Sequence, residues 1–352
     1  PTIGIKKTEP VHKINDLLAL HPSCGPLAEL HKEGQLSIIQ NVGYPNPNHS
    51  HFRSTEIWES ASDAHQNAYT GWLGRYFDND CDGKGKTADP SGIHASNVVP
   101  QTFLSDQPHN IFGVTGGGGG NRKPRQAAAG KKPPASNEVE LLEDLTATAL
   151  SADDTDPHDN AHYLQHTLMD ALLTESRVQQ IINRYQPLAE YPRTGIGQSL
   201  RRIAALIAHG IETRVYYATQ GGYDTHANQL NNQARLLHEL SEAMAAFQKD
   251  LRLHQLDDQV LTMTFSEFGR RPSENSTGGT DHGTAAPLFV MGAKIQNPLV
   301  GSAPSLDVEK NRDLAFSTDF RQVYATVLQR WLQTDPKKIL FNKTFAELDF
   351  LR

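Results

Sequence analysis

The chain has 352 residues, 37% hydrophobic and 21% charged, enough to bury the core of one large α/β domain. Its formal net charge of -7, with no basic stripe interleaved with aromatics, excludes a general nucleic-acid binder. No apolar run approaches the roughly 18 residues that a bilayer span needs, and two cysteines are too few for a disulfide framework or a cysteine-rich zinc site.

The chain starts at Pro1 with no charged-then-apolar leader, which reads as a mature product or a fragment. From Leu17 to Gly34 a loop leads into a short helix closed by Gly34. Leu36 to Gly43 has the composition of a buried strand, and a Pro/Asn turn carries it to His49-Ser50-His51. Ser50 stands at the start of a helix bearing Phe52, Ile57 and Trp58, and Gly71 to Phe77 begins another. Residues 113–157, with five consecutive glycines, a Lys/Pro-rich run and an acidic patch, read as a surface insertion in a single 1–352 domain.

His158 to Tyr185 has helical spacing, and Gly197 to His209 is an amphipathic helix ended by Gly210. Arg214 to Thr219 is a strand that stops at Gly221-Gly222-Tyr223-Asp224-Thr225-His226. A long helix follows, then the apolar run Val260 to Phe265, read as a central strand. It breaks into Ser266-Glu267-Phe268-Gly269-Arg270-Arg271 and a loop delivering Asp281-His282-Gly283. Pro287 to Gly292 is apolar again, and Ser317 or Thr318 can cap a helix through Trp331. Alternating helix and strand predict a mainly parallel sheet covered by helices on both faces, with ligands at its carboxyl edge.

Two polar clusters follow two of these strands: Asp224 with His226, and Glu267 with Asp281 and His282. Carboxylate oxygens with imidazole nitrogens suit divalent ions, and two ions would stabilise both the attacking and leaving oxygens of an ester. Asp224 could equally cap the next helix. Arg270 and Arg271 could grip a phosphate or sulfate, or pair with Glu267 or Glu274. Ser50 is a candidate nucleophile at a helix amino terminus or a plain cap, with His49 and His51 beside it. His158, His162 and His166 recur on one helix face, a spacing that binds zinc or is simply solvated. Cys24 and Cys81 could pair. The run Gly83-Lys84-Gly85-Lys86-Thr87 lacks the earlier glycine of a phosphate loop.

The segments LHPSCGPLAELHKEGQLSIIQNVGYPNPNHSHFRSTEIWESA, GGYDTHANQ, SEFGRRPSEN and GTDHGTAAPLFVMG resemble the domain-of-unknown-function-1501 family, in the alkaline phosphatase and sulfatase-like superfamily. The resemblance implies a three-layer α/β/α sandwich that hydrolyses phosphate or sulfate esters of small molecules or polysaccharides. It implies divalent ions (zinc, manganese, magnesium or calcium) and export to the periplasm or beyond, often by the twin-arginine route. Asp224 and His226 fall where one ion is held, Asp281 and His282 where the other is, and Ser50 where the nucleophile stands. Three features depart from that pattern, the first being that Asp224-Thr225-His226 is tighter than the usual Asp-to-His spacing. The expected early metal-binding Asp would lie before Pro1, and no histidine follows His282, with Glu267 a possible substitute. A non-catalytic binding or scaffold protein on the same fold with an incomplete metal centre, and a phosphomutase-like isomerase, are the competing readings.

Overall fold

The computed structural model describes residues 2–80, 89–114 and 160–352, side chains at 80 and 160–171 excepted. The fold is a mixture of helices and several small sheets. Strand β3 (Leu36–Gly43) is buried along its whole length, and its polar side chains Ser37, Gln40 and Asn41 each donate to a backbone carbonyl. The hairpin strands β1 (His12–Lys13) and β2 (Ala19–Leu20) precede it, with helix α1 (Gly25–Lys32) between.

Strand β3 is the hub of a five-stranded sheet. On one side it pairs antiparallel with β10 (Ala286–Met291), in the register Leu288↔Ile39 and Met291↔Leu36. On the other it pairs in parallel with β11 (Leu299–Val300) and β12 (Thr318–Asp319). Strand β7 (Thr262–Met263) adds antiparallel to β10. The pairing is therefore mixed, not mainly parallel. The expected central strand Val260 to Phe265 is reduced to a two-residue edge, because β10 returns beside β3 and takes the central place.

The expected strand at Arg214 to Thr219 exists as β6 (Val215–Ala218), but in another sheet. It lies parallel to β4 (Gly92–Ala95), which pairs with β5 (Ile111–Gly113). β6 and β7 are thus not neighbours in one sheet. Tyr217 of β6 meets Phe265, just after β7, with ring centroids 6.3 Å apart. Strands β8 (Arg270–Glu274) and β9 (Thr280–His282) form a separate antiparallel hairpin where a loop was expected.

Helix α2 (His51–Ser60) directs Ile57 and Trp58 inward. Trp58 stacks between Phe265 and Phe320, at centroid distances of 5.8 and 4.3 Å. Helix α3 (Trp72–Asp80) adds Trp72, stacked on Tyr324 at 4.4 Å. Helix α4 (Asn160–Arg184) is the described part of one compact unit, Gly117–Arg184; the rest of the chain forms the other. The expected insertion at 113–157 falls almost wholly outside the described residues. So do Gly83 to Thr87, Cys81, His158 and the side chains of His162 and His166.

Helices α5 (Gly195–Ala208) and α6 (Gln229–Leu253) pack together, and α1 lies on α6. Gly210 ends α5 at φ 70°, the left-handed conformation glycine adopts without strain. Helix α7 (Phe320–Thr326) starts from Asp319, not Ser317 or Thr318. The Asp319 carboxylate accepts from the Arg321 amide, and Gln322 accepts from the Asp319 amide. Thr318 is already committed to β12. A short helix α8 (Pro336–Ile339) closes the fold. Among the described residues no helix is long and apolar enough to cross a membrane.

Candidate metal centre

Helix α2 presents the first component. His51 and Ser54 are one turn apart and share a helix face. The buried Ser54 hydroxyl donates to the Glu267 carbonyl at 2.6 Å, which ties the helix start to the loop after β7. His51 Nδ1 then meets the Glu267 carboxylate at 2.6 Å. Ser266 donates to the other Glu267 oxygen at 3.0 Å. A carboxylate can only accept, so Nδ1 of His51 carries a proton, and in the neutral ring its Nε2 holds the lone pair. That Nε2 is buried without a hydrogen-bond partner of proper geometry and lies 3.2 Å from Asp224 Oδ2.

The β8–β9 hairpin supplies the second. His282 Nδ1 donates to the His49 carbonyl at 2.7 Å, which by the same logic leaves its Nε2 lone pair 2.9 Å from Asp224 Oδ1. The loop after β6 supplies the third. Asp224 lies at the centre, and Arg270 Nη1 donates to it at 2.7 Å. His226 Nε2 comes within 2.9 Å of both Asp224 Oδ1 and His282 Nε2. Donor atoms of His51, Asp224 and His282 all lie within 4.8 Å of one another.

Close backbone approach makes this convergence possible. A Cβ on Gly279, in the hairpin turn, would stand 2.2 Å from the His226 carbonyl carbon. A Cβ on Gly283 would stand 2.7 Å from that of Arg270. Asn275 Nδ2 also reaches the His226 carbonyl at 2.9 Å.

The electrostatics agree. Burial alone would raise the Asp224 pKa, but hydrogen bonds from Arg270 and from the His282 and His51 rings in their protonated form hold the carboxyl far below the usual range. Burial would lower the His51 pKa, yet Glu267 and Asp224 outweigh it and raise it above 6.5.

The residues singled out in the sequence divide into four groups. Asp224, His226 and His282 come together at one point rather than at two. Glu267 and Asp281 stand one step outside it. Glu267 orients His51, and Asp281 Oδ1 lies 3.5 Å from His226 Nδ1 with Asn275 beside it. Arg270 is consumed as a clamp: besides Asp224 it holds Thr280 through Oγ1 at 3.2 Å and through the carbonyl. Ser50 is exposed at the amino terminus of α2. It makes no side-chain cap bond, and among the described residues no base contacts its hydroxyl. His51 as a donor was not legible in the sequence, where it stood only as a neighbour of Ser50. The usable signal was Glu267, a carboxylate placed to orient a histidine.

A profile of the family described as "Protein of unknown function (DUF1501)" matches residues 5–344. No curated protein and no solved structure matches the chain.

Proposed function

The chain belongs to the DUF1501 family, and from that premise and the centre's geometry we propose that it is a divalent-ion-dependent hydrolase of phosphate or sulfate esters. One observation carries the reading: Nδ1 of His51 and of His282 are both committed to acceptors that cannot donate, so in the neutral rings two Nε2 lone pairs converge on a carboxylate. That contact is relieved by a proton on the rings in acid and by a bound cation once the rings are neutral. Metal-ligating histidines carry this outer hydrogen bond almost without exception.

His51, His282 and Asp224 would hold the ion, with His226 at the edge as a fourth donor. Imidazole-rich donor sets suit zinc, with manganese next; magnesium and calcium prefer oxygen shells. A bound ion supplies Lewis-acid polarisation of the ester oxygen and a lowered pKa for attacking water. The protein's own residues do the positioning. Arg270 fixes Asp224, Glu267 fixes the His51 ring, and the His49 carbonyl fixes the His282 ring. His226, backed at Nδ1 by Asp281, would present its Nε2 as that fourth donor. Ser50 offers a free hydroxyl at a helix start for a covalent route.

The proposal extends to the alkaline phosphatase and sulfatase-like affiliation, its three-layer sandwich, and export of the protein to the periplasm or beyond. Elemental analysis of the full chain, with turnover of aryl phosphate and aryl sulfate, tests it. About one zinc or manganese per chain, with activity lost in Asp224→Ala and His282→Ala, is expected. An ion-free protein, or activity unchanged in both variants, rejects it. That no base contacts Ser50 among the described residues favours one competing reading, a non-catalytic binding or scaffold protein. Stoichiometric ion without turnover selects that reading.

A further inference from the structure

Arg270, spent on Asp224 and Thr280, cannot grip a substrate anion, and its neighbour is differently placed. Arg271 donates only its Nε, to Asp313 Oδ1 at 2.8 Å. Its two terminal nitrogens have no partner among the described residues, and the side chain is 28% exposed. The other Asp313 oxygen lies 3.1 Å from His49 Nε2, and the His49 carbonyl is the acceptor that orients His282. Arg271 is therefore tied to the rim of the centre through two intermediaries. It also acts across the hairpin on Asp281, where it joins Asn275 and His226 in holding that carboxyl below its ordinary range.

The surroundings extend the positive rim. Arg271 and Ser273 alternate along β8, and one segment runs beside both: the Asn311 amide donates to Ser273 Oγ at 3.2 Å, and Asp313 meets Arg271. Ser273, Glu274, Asn275 and Lys310 line an open cleft of about 420 Å³. Asn275 separates that cleft from His226 and Asp281. Its one carboxylate, Glu274, is bonded by the Thr2 amide and hydroxyl. An arginine whose Nε is held by a carboxylate has its outer fork fixed in direction, the arrangement that suits two oxygens of a tetrahedral anion.

We propose that Arg271, oriented by Asp313, is the anion-anchoring residue for the esterified phosphoryl or sulfuryl group, with Lys310, which lines the neighbouring cleft, adding positive charge. This assignment rests on the ester-hydrolase reading, and it transfers the anion-binding role from Arg270 to its neighbour. It is tested by calorimetric titration of the full chain with inorganic phosphate and, separately, inorganic sulfate. Wild type, Arg271→Ala, Arg271→Lys and Lys310→Ala are compared, with ion content measured on each preparation.

The wild type is expected to bind at least one of the two anions. Arg271→Ala should lose about fivefold or more, and Lys310→Ala less. Arg271→Lys keeps the charge but not the fork, so it should also bind more weakly. If Arg271→Ala does not fold, Arg271→Lys decides. The preferred anion distinguishes phosphoryl from sulfuryl substrates. Wild type binding neither anion at millimolar concentration overturns the assignment. So does an Arg271→Ala loss below about fivefold, or Arg271→Lys binding like wild type where it decides. Should the wild type hold no ion yet still show Arg271-dependent anion binding, the hydrolase reading falls and the anion seat stands. Ion and turnover with an indifferent Arg271→Ala give the reverse.

Discussion

His51 takes its role from what holds its far nitrogen. With Nδ1 bonded to Glu267 at 2.6 Å, Nε2 can only point at Asp224. Glu267→Gln keeps the shape and removes the charge, so ion affinity should fall by about 10- to 100-fold, as for other outer-shell partners. Competition with a chelating dye measures this, and a change under twofold would show that Glu267 does not orient a ligand. Glu59 is a second carboxylate legible only in three dimensions. It is buried, accepts from the Tyr217 hydroxyl at 2.9 Å, and also accepts from the Gln101 and Thr102 amides. Burial raises its pKa more than these bonds lower it. The folded state thus holds the Glu59 proton more tightly than the unfolded one. Its contribution favours folding at acid pH and is lost as pH climbs from about 4.5 through the raised folded value. Glu59→Gln should therefore gain stability relative to wild type between pH 4 and pH 7, and parallel urea midpoints across that range would contradict this.

At the scale of elements, the hairpin and the loop after β6 are separate pieces that must touch. Gly279 permits the contact, because any side chain there would collide with the His226 backbone. Gly279→Ala should cost ion affinity about tenfold or more while leaving most stability intact, since the hairpin can tilt away without opening the core. Isothermal titration beside a melting curve separates the two effects. A different junction anchors the chain where it re-enters before α5. Asp250 on α6, fully buried, accepts from Tyr185 at 2.6 Å, Tyr191 at 2.9 Å and the Leu188 amide at 2.8 Å. Asp250→Ala strands these donors and should destabilise by about 3 kcal/mol or more. Ion stoichiometry should not change, and urea unfolding with elemental analysis checks both halves of that statement.

For the whole molecule, the centre joins segments that are remote in sequence: the start of α2, the loop after β6 and the hairpin. An ion bound only by the folded arrangement stabilises it by mass action, about 2.7 kcal/mol at a hundredfold excess over Kd. Chelation should lower Tm by several degrees, on the order of 5 °C for a chain of this size. The effect should shrink in acid, because His51 must lose a proton before it can ligate and its pKa lies above 6.5. Scanning calorimetry with and without chelator at pH 5.5 and 7.5 reads this directly. An equal or larger shift at the lower pH would mean that His51 is not a ligand.

Local sequence determined a good deal. The apolar composition of Leu36 to Gly43 specified a buried strand, and the spacing of Leu200, Ile203 and Leu206 with Gly210 specified a terminated helix. Asp224, His226 and His282 could be picked out because a short polar turn after an apolar run brings its side chains together whatever the larger fold. Tertiary structure decided the rest. Periodicity records which face a strand buries and not which strand it lies beside, so the antiparallel entry of β10 and the demotion of Val260 to Phe265 to an edge were invisible. Likewise an arginine's neighbours come from distant loops. Only the folded chain showed that Arg270 faces inward to Asp224 while Arg271 keeps its outer fork free.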